Sequence, residues 1–139
     1  MKKTGILLIC LFSANILLCQ VPDFFRYQAV IRNDQGQAIA GKNIDLQVRI
    51  LRGEALEAAY SETFETSTNE FGFVDLMIGQ GNSGGDDFSS IHWGQGPLFV
   101  EIGLKNKNDQ YDILGTSPLL SVPYALVARD IKDKDDADA

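Results

Sequence analysis

The chain is short of the residues that staple, ligate or catalyse. Among its 139 residues there are two cysteines, one histidine and one tryptophan. Both cysteines, Cys10 and Cys19, fall within the first nineteen residues, so a chain beginning at Gln20 has no disulfide framework and its core alone must hold the fold. His92 has neither a second histidine nor a neighbouring cysteine to complete a zinc ligand set. Positive charge is also scarce: 12 Lys and Arg stand against 19 Asp and Glu, for a net charge of −7. Such a surface is repelled by phosphate backbones and anionic lipid, which argues against a nucleic-acid partner. No apolar run reaches the roughly 20 residues that a membrane-spanning helix needs.

What the chain does have begins at its N-terminus. Lys2 and Lys3 precede an apolar run from Ile6 to Leu18, broken by Ser13 and Asn15, and the polar segment Gln20-Val21-Pro22 follows. This is the order of a secretory leader, so residues 1–19 are expected to be a signal peptide and the protein to act outside the cytoplasm, extracellularly or on the outer cell surface. Leu17-Leu18-Cys19 lacks the small residue that a lipoprotein signal carries ahead of its cysteine. Cys19 is therefore read as the last residue removed, with a lipid anchor at Cys19 as the alternative. Loss of Lys2 and Lys3 leaves ten basic residues against nineteen acidic, and a formal charge of −9. The remaining length suits one domain with an ordinary core.

Period-2 alternation then runs through the chain. Phe25, Tyr27, Ala29 and Ile31 share one face of a first strand, and Asn33-Asp34-Gln35-Gly36 supplies its turn. Ile44, Leu46, Val48 and Ile50 alternate with Asp45, Gln47 and Arg49 in a second. Further strands are expected over Ala58–Thr66, with Tyr60 and Phe64 packing inward, over Phe73–Ile78, over Leu98–Leu104, over Tyr111–Gly115 and over Leu119–Val122. Gly79–Asp87 is rich in glycine and reads as a mobile surface loop, while Phe88–Trp93 can make one helical turn. Pro123 opens a short C-terminal helix, and the acidic residues 129–139 form a tail or the start of a linker. The expectation is an all-β fold, an antiparallel β-sandwich of about seven strands, immunoglobulin-like or transthyretin-like, over residues 20–128.

Five segments sit in one register: Phe25-Arg26-Tyr27-Gln28-Ala29-Val30-Ile31-Arg32, Tyr60-Ser61-Glu62-Thr63, Thr68-Asn69-Glu70-Phe71-Gly72, Phe88-Ser89-Ser90-Ile91-His92-Trp93-Gly94-Gln95-Gly96-Pro97 and Ser117-Pro118-Leu119-Leu120-Ser121-Val122-Pro123-Tyr124-Ala125. Together they resemble a secreted N-terminal domain abundant in Bacteroidetes bacteria, and the resemblance covers nearly all of residues 20–128. It implies a domain with no established activity at the head of surface or extracellular proteins, followed by collagen-like, coiled, fibre-like or sorting segments. His92 stands where such proteins often carry Asp, which speaks against an essential acid there.

The residues that could carry chemistry are few. Trp93, followed by Gly94 and Gly96 in an apolar segment, reads first as a packing anchor closing one end of the sandwich, although with Tyr111 it could stack on a sugar ring; Asp86 and Asp87 offer oxygen ligands in a glycine-rich loop without the spacing of a calcium site. Gly79-Gln80-Gly81-Asn82-Ser83-Gly84 lacks the Lys-Ser/Thr of a phosphate loop, and no serine stands in a nucleophile elbow. No cofactor or metal is expected. The favoured reading is a non-catalytic structural or interaction module whose partners are proteins, or copies of itself joined through a C-terminal extension. A glycan-binding module built on Trp93, Tyr111, Asp86 and Asp87 is the rival.

Overall fold

A computed structural model of the protein describes residues 23–120. The leader, the helix expected from Pro123 and the acidic tail lie outside the described residues. Six strands follow one another: β1 Phe25–Val30, β2 Asn43–Arg52, β3 Glu57–Ser67, β4 Phe73–Ile78, β5 Leu98–Lys105 and β6 Tyr111–Pro118. A single 3₁₀ turn, Phe88–Ser90, precedes β5. All pairings are antiparallel and make two sheets, β1-β4 and β3-β2-β5-β6.

One apolar cluster joins the two sheets. β4 contributes Val74, Leu76 and Ile78, β2 contributes Leu46, Val48 and Ile50, and β5 contributes Leu98, Val100 and Ile102, with Phe25, Tyr27 and Ala29 of β1 packed against them. Each set is spaced by two, so a pleated strand turns it to one face while Arg26, Gln28, Asp75 and Gln47 stay on the other. The turns rest on asparagine. Asn33 Oδ1 accepts from the Gln35 and Gln37 N–H, Asn69 Oδ1 from Phe71 and Phe73, and Asn106 Oδ1 from Asn108 and Gln110. In each case a short side chain replaces a backbone acceptor and fixes the reversal.

Two expectations differ from the structure in detail. The first concerns the strands: six of the about seven expected lie among the described residues, and the one expected over Tyr111–Gly115 runs on to Pro118. Gly115, read as the end of a strand, lies inside β6, where the register slips between Ile102 and Gly103 and leaves Leu114 as the extra residue of a bulge. The strand continues because Thr116, Ser117 and Pro118 still pair with Glu101, Val100 and Phe99. Leu119 and Leu120 are outside any strand, and the rest of the expected Leu119–Val122 strand falls outside the described residues. The second concerns Gly79–Asp87, expected to be a mobile loop, which is instead stitched along β3. Asn82 and Thr63 exchange two backbone hydrogen bonds of 2.9 Å, and Asp86 Oδ2 accepts from Ser61 N–H at 3.0 Å. Gly79, at φ +106°, passes so close to the start of the described chain that a Cβ there would lie 2.3 Å from the Asp23 carbonyl oxygen.

Candidate functional site

The most chemically loaded spot in the molecule is a buried carboxylate. β3 turns Tyr60, Glu62 and Phe64 to one face, and Glu62, 1 % exposed, sits under the glycine-rich loop. Its Oε1 accepts from Gly79 N–H at 2.7 Å; its Oε2 accepts from Gly81 N–H at 2.7 Å and from the Tyr60 hydroxyl at 3.0 Å. A side chain at position 81 would strike this carboxylate, since a Cβ there falls 2.7 Å from Oε2 and 2.9 Å from the Phe64 ring. The loop needs its glycine so that the backbone can come near enough to donate. With three donors on two oxygens, the carboxylate is spent on holding β3, the loop and β4 together.

Tyr60 carries the effect outward. Burial, reinforced by the negative charge and hydrogen bond of Glu62, raises its phenol well above the ordinary tyrosine value. Burial also raises Tyr27. Such phenols keep their protons in the fold after the unfolded chain has begun to release them. Their contribution is complete below about pH 10 and is lost as the pH rises further. Tyr60→Phe should therefore flatten the alkaline fall in stability, at a cost near neutral pH of about 1 kcal/mol for the lost hydrogen bond. Denaturant titrations from pH 7 to pH 11 on both proteins would check it; an unchanged alkaline slope would reject the coupling.

Next to Tyr60 lies the aromatic end of the core. The Phe88 ring centre is 5.2 Å from Tyr60 and 5.3 Å from Trp93, and Phe25 meets Trp93 edge to face at 5.8 Å. Asp87 holds the 3₁₀ turn that delivers Phe88, its Oδ1 accepting from Ser89 N–H at 2.9 Å and from the Ser89 hydroxyl at 2.6 Å. Arg52 reaches the His92 carbonyl and the Gln95 side chain.

The four residues read as a ligand site therefore do not meet. Trp93 is 3 % exposed, with Phe25 and Phe88 packed on it, so it offers no open ring face. Tyr111 begins β6 beside Lys105, its Cβ placed where a side chain at Gly103 would go, whereas the Trp93 segment sits by Arg52, the partner of Leu98 at the other end of β5. Asp86 and Asp87 are neighbours, yet each serves the backbone of its own surroundings. Among the described residues, no group of three or more His, Cys, Asp or Glu could hold a metal ion.

Sequence reasoning passed over two features. Glu62 had a signal, an acid in phase with Tyr60 and Phe64 on an inward face. The other is a cleft of about 360 Å³ between β1 and β6, walled by Tyr27, Ala29, Ile102, Ile113, Leu114 and Gly115. Its signal was the adjacent apolar pair Ile113-Leu114, which breaks the alternation of the strand just before Gly115. Compared with protein-family models, curated proteins and solved structures, the chain matches none of them.

Proposed function

We propose that the chain is a non-catalytic exported module, the N-terminal head domain of a bacterial cell-surface or fibre-like protein, folded as an immunoglobulin-like or transthyretin-like sandwich. The observation that carries this reading is the leader order, Lys2-Lys3, apolar Ile6–Leu18 and polar Gln20 onward, placed directly before a single β domain. The way the polar groups are used supports it. Glu62, Asp86, Asp87 and the three turn asparagines all serve the chain's own backbone, as expected of a module selected for holding its shape. Its partners are proteins or further copies joined through the chain beyond the domain. The rival glycan reading loses its main support, because stacking on a sugar needs an open aromatic face.

Protease shaving of intact native cells should release peptides from residues 23–120, and the intact mass should begin at Gln20 or at its pyroglutamate form. Longer forms of the protein should self-associate. A cytoplasmic protein that keeps residues 1–19 and yields no shaved peptides would overturn the reading. A glycan array probed with the native chain and with Tyr111→Ala would separate the rival: signal lost with Tyr111 would favour it.

A further inference from the structure

The described chain begins and ends at one end of the domain. Asp23 lies against Gly79 just after β4, and Leu119 N–H donates to the Leu98 carbonyl at the start of β5 at 2.8 Å. Three connections occupy the opposite end: residues 31–42 between β1 and β2, 68–72 between β3 and β4, and 106–110 between β5 and β6. Each holds one of the asparagines whose Oδ1 accepts from two backbone N–H groups. The first two are also tied to each other, with Ile31 N–H donating to the Gly72 carbonyl at 2.8 Å and Gly41 N–H to the Asn69 carbonyl at 2.9 Å. Loops carried on a rigid sheet are where recognition is commonly built, and loops fixed in advance give up little entropy on binding.

Between the first and third of these connections lies a cleft of about 720 Å³. Its apolar lining is Ile39, Ile44 and Leu104, partly buried side chains that also pack on the core. Its charged lining is Lys42, Lys105 and Lys107 with Asp45 and Asp109. Those are all the lysines of residues 23–120, gathered in one place on a chain of net charge −7. Lys105 engages both aspartates, Asp45 at 3.6 Å and Asp109 at 3.2 Å. Lys42 and Lys107 are exposed, and among the described residues neither has an ion-pair partner. The cleft therefore keeps two uncommitted ammonium groups beside an aliphatic surface.

We propose that this end of the domain binds an acidic segment of a protein partner, one that carries aliphatic side chains between its carboxylates. The carboxylates pair with Lys42 and Lys107, and an aliphatic side chain covers Ile44 and Leu104. An acidic sugar has the charge but no match for the aliphatic lining, because sugars stack on aromatic faces and none of the described residues lining the cleft is aromatic. The chain's many acids oppose such a partner at long range. At physiological ionic strength charges more than about 8 Å away are largely screened, so the nearby lysines decide. The inference goes beyond the proposed function and does not depend on export.

Fluorescence anisotropy tests it, with the full chain purified from its host titrated at ~0.15 M salt into a labelled, end-capped octapeptide of alternating Asp and Leu. The peptide should bind at least about tenfold tighter than its Ser/Leu counterpart, because the charges across the contact are complementary. Lys42→Glu combined with Lys107→Glu, both at exposed side chains, should weaken binding about tenfold or more and leave the melting midpoint in place. In the native chain the peptide should shift the backbone amide resonances of residues 42–45 and 104–110 and leave those of 49–52 and 98–100 unmoved. The proposal would be overturned by an Asp/Leu peptide that binds no better than Ser/Leu, by an affinity untouched in the double variant, or by resonance shifts centred elsewhere. Binding of oligogalacturonate with none of the peptide would also overturn it, and would make the cleft a site for an acidic glycan.

Discussion

Glu62→Ala should cost about 3–5 kcal/mol, because it strands the N–H groups of Gly79 and Gly81, and a buried unsatisfied donor costs ~1–3 kcal/mol. A domain of this size has a total stability of only about 5–15 kcal/mol, so the loss is a large share of it. At ~4–8 °C per kcal/mol the melting midpoint should fall by more than about 12 °C. Glu62→Gln is the instructive companion. It keeps the volume and one carbonyl oxygen but points an NH₂ at one of the two backbone donors, so it should cost roughly half as much as alanine. Equilibrium denaturation of the three proteins would give the ordering native, glutamine, alanine. A cost under about 1 kcal/mol for alanine would mean that water reaches Gly79 and Gly81 and replaces the carboxylate.

The consequence reaches beyond the mutated residue. The carboxylate anchors the loop that seals the edge of β3 through Thr63 and Asn82. With the anchor gone, the amides of Thr63 and Asn82 should lose exchange protection before those of β2 and β5, whose hydrogen bonds lie in the middle of the larger sheet. A loop that looks mobile by composition is thus ordered by a buried acid at its start together with the Thr63–Asn82 bridge and the Asp86 contact to Ser61.

Strand existence was legible because burial here follows alternation. Phe25, Tyr27 and Ala29 against Arg26, Gln28 and Val30, or Val74, Leu76 and Ile78 against Asp75 and Met77, need only the pleat to sort them. The turns were legible because asparagine and glycine act locally. What was not legible depends on partners remote in sequence. Glu101 alternates as an outward residue of β5, yet it is buried between Arg49 at 2.7 Å and Thr116 at 3.3 Å, contacts that exist only once β2, β5 and β6 are side by side. Gly115 looks like a stop, yet it pairs with Ile102 next to the bulged Leu114, because β5 fixes the register opposite it. Trp93 reads more readily as a packing anchor than as a sugar platform, but that Phe25 of β1 is among the rings packed on it depends on a partner remote in sequence.

That covering makes Trp93→Ala the second large effect, about 3–5 kcal/mol for a buried indole replaced by a methyl group. As the only tryptophan in the sequence, Trp93 also reports on itself. Its emission should be blue-shifted in the folded protein, should move to the red on unfolding, and should not respond to added sugars. Trp93→Phe tells apart two parts of the effect. Among the described residues the indole Nε1 is buried without an acceptor, a defect that phenylalanine does not have. Removing that orphan donor recovers some of what the lost ring area costs, since a buried unpaired N–H is itself unfavourable by ~1–3 kcal/mol. Trp93→Phe should therefore be far milder than alanine, within about 1.5 kcal/mol of the native chain, because the edge contact to Phe25 and the contact to Phe88 survive in a smaller ring. A cost near that of alanine would show instead that the smaller ring fails to keep the packing against Phe25 and Phe88.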